Sequence, residues 1–171
     1  MRTVTIVQGE QKVICEPGVL ISTLLGSCIA VCLHDAEARI GGMNHFLLGE
    51  PGAEQTVTPQ DMQRYGIHAM ELLINGMMRA GASRNRMRAH IYGGANIIAG
   101  LGDIGSKNAA FTDRFMATEG IAVGHRDVGG NQPRKVEFVP WEGKVRAIKV
   151  KDIPHAPPRL AKPQVCEVEL F

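Results

Sequence analysis

The spacing of apolar and polar positions changes character along the chain. In the first fifty residues the apolar runs are short and β-branched. Residues 3–7, 12–15 and 19–25 are set apart by Gly, Glu and Pro, and they predict three strands. Residues 28–33 are continuously apolar, which predicts a strand buried on both faces. After a turn at His34-Asp35, residues 39–48 predict another strand. Its pair Gly41-Gly42 implies a bulge or the close approach of a second backbone. A polar loop over 49–57 follows. Then Met62, Met70, Leu73, Ile74 and Met77 recur near the 3.6 period, the mark of an amphipathic helix. Thr58 suits its N-cap, Pro59 its first position and Gly81 its end.

Residues 87–92 predict a strand that runs into the turn Gly93-Gly94. Ser106 is expected to cap a second helix ending near Glu119, with Gly120 after it. Residues 121–128, 135–139 and 144–150 predict three more strands. Strands, helix, strand, helix and strands again give an α+β domain over residues 1–150. Pro154, Pro157, Pro158 and Pro163 make residues 151–171 a Pro-rich C-terminal extension, whose residues 165–171 have the composition of an edge strand or a tail.

Composition narrows the function classes. The chain has 171 residues, 44% hydrophobic and 21% charged, an ordinary globular balance. Its 19 basic and 17 acidic residues leave a net charge of +2 and form no long block, which gives nucleic-acid binding no support. No signal peptide and no run long enough to span a membrane is legible, so a cytoplasmic location is expected. Cys15, Cys28, Cys32 and Cys166 fit neither a disulfide framework nor a zinc spacing. Each is then a small core residue or a reactive thiol.

One of the four stands in a suggestive place. A strand runs into Gly26-Ser27 and then Cys28. Small residues before a nucleophile allow a sharp turn, and backbone N–H groups at such a turn can aim at an oxyanion. A thiol still needs a base, and His45 lies in the next predicted strand. Taken alone, Cys28 reads first as a buried core thiol and His45 as a hydrogen-bonded core residue. Gly93 and Gly94 fit no phosphate-binding frame and read first as turn glycines with positive φ, and second as walls of a cleft.

Several stretches together resemble the CheD family of chemoreceptor glutamine deamidases. They are Leu25-Gly26-Ser27-Cys28-Ile29-Ala30-Val31-Cys32-Leu33, Gly42-Met43-Asn44-His45, Ile91-Tyr92-Gly93-Gly94-Ala95, Ile104-Gly105-Ser106-Lys107-Asn108 and Gly124-His125-Arg126-Asp127-Val128-Gly129-Gly130. The resemblance implies a cysteine amidohydrolase acting on glutamine side chains of methyl-accepting chemotaxis proteins. It implies an α/β sandwich of packed mixed sheets with flanking helices, like the deamidases of the cytotoxic necrotising factor type. Cys28 takes the nucleophile's position and His45 the base's. The family's third member is a threonine six residues before the cysteine. Ser22 stands there, and Thr23 stands one place later. Serine keeps a hydroxyl that can orient an imidazole, and successive strand side chains face opposite ways, so Ser22 is the expected third member, with a one-residue shift to Thr23 as the alternative. Ser27 and Gly26, with Gly93 and Gly94, are expected around the oxyanion and substrate. No cofactor is implied. A CheC-type phosphatase is an implied partner. Receptor methyl-ester hydrolysis by the same thiol, a purely binding role, and a metal site on Cys28, Cys32 and His45 are the rival readings.

Overall fold

A computed structural model describes residues 1–48, 58–97 and 103–151. The predicted polar loop, part of the glycine-punctuated stretch before the second helix, and the C-terminal extension from 152 onward lie outside the described residues. Among the described residues nine strands form two mixed sheets. The first has the order β1 (Arg2–Thr5), β3 (Val19–Leu25), β8 (Arg134–Val139) and β9 (Lys144–Lys149). In it β1 runs parallel to β3 and the other pairs are antiparallel. The second has the order β2 (Gln11–Ile14), β5 (Ile40–Asn44), β4 (Ile29–Asp35), β6 (Arg88–Gly93) and β7 (Ala122–Val128). Only its β6–β7 pair is parallel.

The two faces of β4 explain its uninterrupted apolar sequence. Ile29, Val31 and Leu33 point to a core shared with helices α1 (Pro59–Arg79) and α2 (Ile104–Glu119), against Met70, Leu73, Met77, Phe111 and Phe115. Ala30 and Cys32 point the other way, to a core between the sheets that holds Ile21, Leu25, Met43, Val136 and Phe138. Ile29 through Leu33 are all fully buried. Burying each aliphatic side chain of this size contributes on the order of 1.5–3 kcal/mol. The layers are therefore sheet, sheet, helices, with both helices on one face, as the α+β expectation requires.

Local rules hold in most elements. Thr58 caps α1, its Oγ1 accepting the N–H of Asp61 at 3.1 Å. Gly41 allows the expected close approach: a Cβ there would lie 2.7 Å from the backbone of Pro140. The second helix departs from expectation. It begins at Ile104 after Asp103, and Ser106 lies inside its first turn, where its hydroxyl accepts from Asn96 Nδ2 at 3.1 Å. The end is as expected, with Gly120 in the left-handed region.

Arg134 joins the two sheets. Its side chain is only 1% exposed, and its guanidinium donates to the carbonyls of Gly93, Asp127 and Gly129 at 2.5, 2.9 and 2.5 Å. A cation out of water needs such partners. These carbonyls belong to β6, to β7 and to the turn after β7, whereas Arg134 begins β8 of the other sheet.

Candidate active site

Chain direction sets the position of Cys28. The segment Gly26-Ser27-Cys28 carries the chain from β3 in one sheet to β4 in the other. Three consecutive carbonyls in this crossover are pinned on one side. Gly26 O accepts from Ala95 N at 3.1 Å, Ser27 O from Asn108 Nδ2 at 2.8 Å, and Cys28 O from Gly94 N at 2.8 Å. In a trans peptide the N–H points opposite to the carbonyl. Holding the Gly26 and Ser27 carbonyls therefore turns the N–H groups of Ser27 and Cys28 toward the other side.

His45 follows β5 and continues its pairing with β4. The Ile29–Phe46 pair exchanges both backbone hydrogen bonds at 2.9 Å. Counting outward, His45 faces Ala30 and Leu47 faces Cys28. Cys28 and His45 thus share the face between the sheets, as diagonal neighbours. Such neighbours are about 7–8 Å apart or somewhat less at Cβ, within reach of an imidazole.

The group that orients His45 is Thr23. Its Oγ1 lies 2.7 Å from His45 Nδ1 and also donates to Ile6 O at 2.8 Å. A hydroxyl has one proton. With that proton on Ile6 O, Thr23 Oγ1 must accept from Nδ1–H. Nδ1 then carries the ring proton, and Nε2 keeps its lone pair free for a neighbouring acid.

The expectation for Ser22 is corrected here. Ser22 is buried, but it pairs in register with Glu137, whose carboxylate meets Lys135 and Arg146 on the outer face of the first sheet. Thr23 pairs with Val136, in the core between the sheets. The alternation of strand side chains that favoured Ser22 in the sequence excludes it in the structure. Thr23→Val is expected to lower kcat by roughly 10- to 100-fold, and Thr23→Ser to restore it, because the tautomer depends on the hydroxyl. Ser22→Ala should leave turnover near the parent value. Steady-state ammonia release by the three variants checks this, and equal losses in Ser22→Ala and Thr23→Val would refute it.

Burial sets the charge state of the pair. It pushes the Cys28 thiol up to about 11, against the opposing pull of the residue's own N–H. It brings His45 down to about 4. Both groups are therefore neutral at neutral pH. Cys32 is wholly buried in the core between the sheets, which pushes its thiol up further. Cys15 is exposed. Among the described residues no group of three or more His, Cys, Asp or Glu is placed to hold a metal ion.

Two further residues were given no role by the sequence. Asn108, 1% exposed, donates to Ser27 O and accepts the N–H of Leu48 at 3.1 Å, so one side chain ties the crossover to the segment that follows His45. Its signal in the sequence is a polar residue on the apolar face of α2, beside Ala109, Phe111 and Thr112. Gln8 places Oε1 3.9 Å from Cys28 Sγ. Gly93 and Gly94 adopt positive φ, 111° and 64°, and stand behind the Cys28 carbonyl.

Known proteins carry the same pattern. A family model described as CheD chemotactic sensory transduction matches residues 47–149. A protein of Zymomonas mobilis subsp. mobilis is 49% identical over 151 residues, covering 88% of this chain and 82% of its own. One of Rhizobium leguminosarum bv. trifolii is 44% identical over 99% of this chain and 96% of its own. One of Rhizobium rhizogenes is 50% identical over 85% and 78%. All three are named probable chemoreceptor glutamine deamidase CheD. With a family model matched over more than half its length and relatives this similar along most of it, the chain belongs to the CheD family.

Proposed function

We propose that this protein is a protein-glutamine deamidase. It hydrolyses side-chain amides of methyl-accepting chemotaxis receptors to glutamate and ammonia, with Cys28 as nucleophile. The observation that carries the reading is the Ile6–Thr23–His45 relay, which leaves an unprotonated Nε2 on the face that also carries Cys28. The names of relatives nearly half identical supply the substrate class.

Neutral resting groups define the order of proton transfers. Cys28 Sγ attacks the amide carbon as its proton passes to His45 Nε2, and the carbonyl π pair becomes an oxyanion facing the Ser27 and Cys28 N–H groups. Thr23 accepts from Nδ1–H throughout and stabilises the imidazolium. His45 then gives its proton to the departing nitrogen, ammonia leaves, and a thioester remains. Water, deprotonated by His45, hydrolyses the thioester. Glutamine and water become glutamate and ammonia. The receptor gains a negative charge, which can bias its signalling. With a receptor's cytoplasmic region as the proposed substrate, the cytoplasm is the proposed site of action. A CheC-type phosphatase is a second proposed partner, supported by family membership alone.

Mass spectrometry of receptor cytoplasmic fragments after incubation is the test. A gain of about one mass unit at a defined glutamine, with stoichiometric ammonia, is expected, because oxygen replaces amide nitrogen. Unchanged fragments would refute the proposal, and methanol in place of ammonia would assign ester hydrolysis instead.

The pH profile follows from the same groups. Attack needs Nε2 unprotonated, so kcat/KM should stay level through pH 6.5 and fall only as pH drops toward the His45 value near 4. Cys28 must begin protonated if its proton is to pass to His45, so the alkaline limb should lie near 11. An acid limb near 6.5 or an alkaline limb near 9 would show that His45 or Cys28 titrates as it does in water.

A further inference from the structure

We propose that Gln8 is a further catalytic residue, a side-chain donor to the oxyanion formed at Cys28; the assignment rests on the deamidase reading above. Gln8 sits at the tip of a tight turn between β1 and β2. Glu10 N–H donates to Val7 O at 3.0 Å, Val7 N–H donates to Glu10 Oε2 at 2.9 Å, and Gly9 has φ 88°. The bonds that hold this turn are made to the site's own residues. Ile6 N–H donates to Ser22 O at 3.0 Å and Thr23 Oγ1 to Ile6 O at 2.8 Å. On the other arm, Gly9 N–H donates to His45 O at 2.8 Å and His45 N–H to Glu10 O at 3.1 Å. The turn is thus fixed to Thr23 on one side and to His45 on the other, and its tip reaches the sulfur.

Gln8 is exposed, and its side chain reaches Cys28, Oε1 accepting the thiol proton at 3.9 Å. Among the described residues it is the only side chain hydrogen-bonded to that sulfur. A carboxamide carries an acceptor and two donors on one planar group, and rotation about its terminal torsion exchanges them. In the resting enzyme Oε1 faces S–H. When Sγ bonds to the substrate carbon and the proton moves to His45, no S–H is left to accept, and the substrate oxygen becomes negative. Rotation then presents Nε2–H to that oxygen, beside the backbone N–H of Cys28. No bond to Gln8 forms or breaks. Side-chain amides serve as oxyanion donors in other acyl-transfer sites.

The test compares parent, Gln8→Ala and Gln8→Glu on receptor fragments, with alkylation of Cys28 by iodoacetamide alongside. Alkylation forms no oxyanion. Gln8→Ala should lose roughly 10²-fold in kcat with KM within about threefold, and its alkylation rate should change by less than about twofold. Gln8→Glu should lose more, since a carboxylate would face the oxyanion. Three results would each overturn the assignment: kcat kept within about threefold in Gln8→Ala; alkylation slowed in step with kcat, the mark of a turn that only props up the site; or a Cys28-dependent gain of one mass unit at Gln8, which would make it a substrate. Failure of the parent protein itself to deamidate fragments would instead bring down the deamidase reading.

Discussion

Cys28→Ala is expected to release no ammonia from receptor fragments while melting as the parent does. The loss should be on the order of 10⁴-fold or more, the scale seen when a covalent nucleophile is removed from a hydrolytic triad. Stability should barely change. Cys28 is only partly buried, packs at the margin of the core between the sheets, and contributes one weak hydrogen bond through its sulfur. Its structural work is done by backbone atoms that alanine retains: the carbonyl held by Gly94, and the N–H that the proposed mechanism gives to the oxyanion. Cys32→Ala is the matched control. That thiol is fully buried between the sheets, so its loss should lower stability by about 1 kcal/mol or somewhat more and leave turnover per folded molecule intact. Circular-dichroism melts and ammonia assays on both variants separate the two roles. A dead Cys32→Ala beside an active Cys28→Ala would move the chemistry to Cys32 and overturn the assignment.

Gly93→Ala should cost both fold and activity. A Cβ at Gly93 would lie 2.1 Å from the Cys28 carbonyl oxygen and 3.2 Å from its carbon, and φ is 111°, where side chains are strained in any case. Both atoms of contact belong to backbone, so no rotamer change relieves the overlap. The crossover must move away from β6, taking the Cys28 N–H and sulfur with it. A loss of roughly 3 kcal/mol is expected, which is roughly 6–12 °C in Tm for a chain of this size. The fraction that still folds should deamidate at least tenfold more slowly, because displacements near 1 Å cost about 10²-fold in placed chemistry. Gly18→Ala provides the comparison. Gly18 also has positive φ, 75°, but a Cβ there meets nothing within 4 Å, so only the conformational cost applies, about 1 kcal/mol. Equal melting temperatures for the two variants would show that the crossover yields freely.

Much of this was legible in the sequence because local signals and burial agree. The strand over residues 19–25 has the predicted bounds, and the continuous apolar run of β4 is buried on both sides as its composition demands. The division of strands between two sheets was not legible. Nothing in the spacing of β3 and β4 says that three residues carry the chain from one sheet to the other. The Ser22–Thr23 choice failed for a definable reason. Alternation marks a buried face only when its partner face is polar, and here Leu20 and Leu24 flank Ser22 as Ile21 and Leu25 flank Thr23. Both registers look apolar. The tie is broken by Glu137 on one side and Val136 on the other, residues more than a hundred positions away. Asn108 and Gln8 escaped for the same cause, since their importance lies in contacts at sequence separations of 81 and 20.

The partition of the site between two sheets has a consequence for how this protein can fail. Thr23 belongs to one sheet, while Cys28 and His45 adjoin strands of the other, so the placing of the hydroxyl against the imidazole depends on how the two sheets dock as well as on the crossover and turn that link them. Each sheet can keep its own hydrogen-bond ladder while the two slide by a fraction of an ångström. Such a slip would leave secondary structure untouched and let the ring turn over, putting its proton on the wrong nitrogen. In the proposed mechanism, catalysis would therefore act as a strain gauge for the joint between the sheets. Heat, pressure or a trimmed side chain at Phe138 should silence the enzyme well before any spectrum of the backbone records a change.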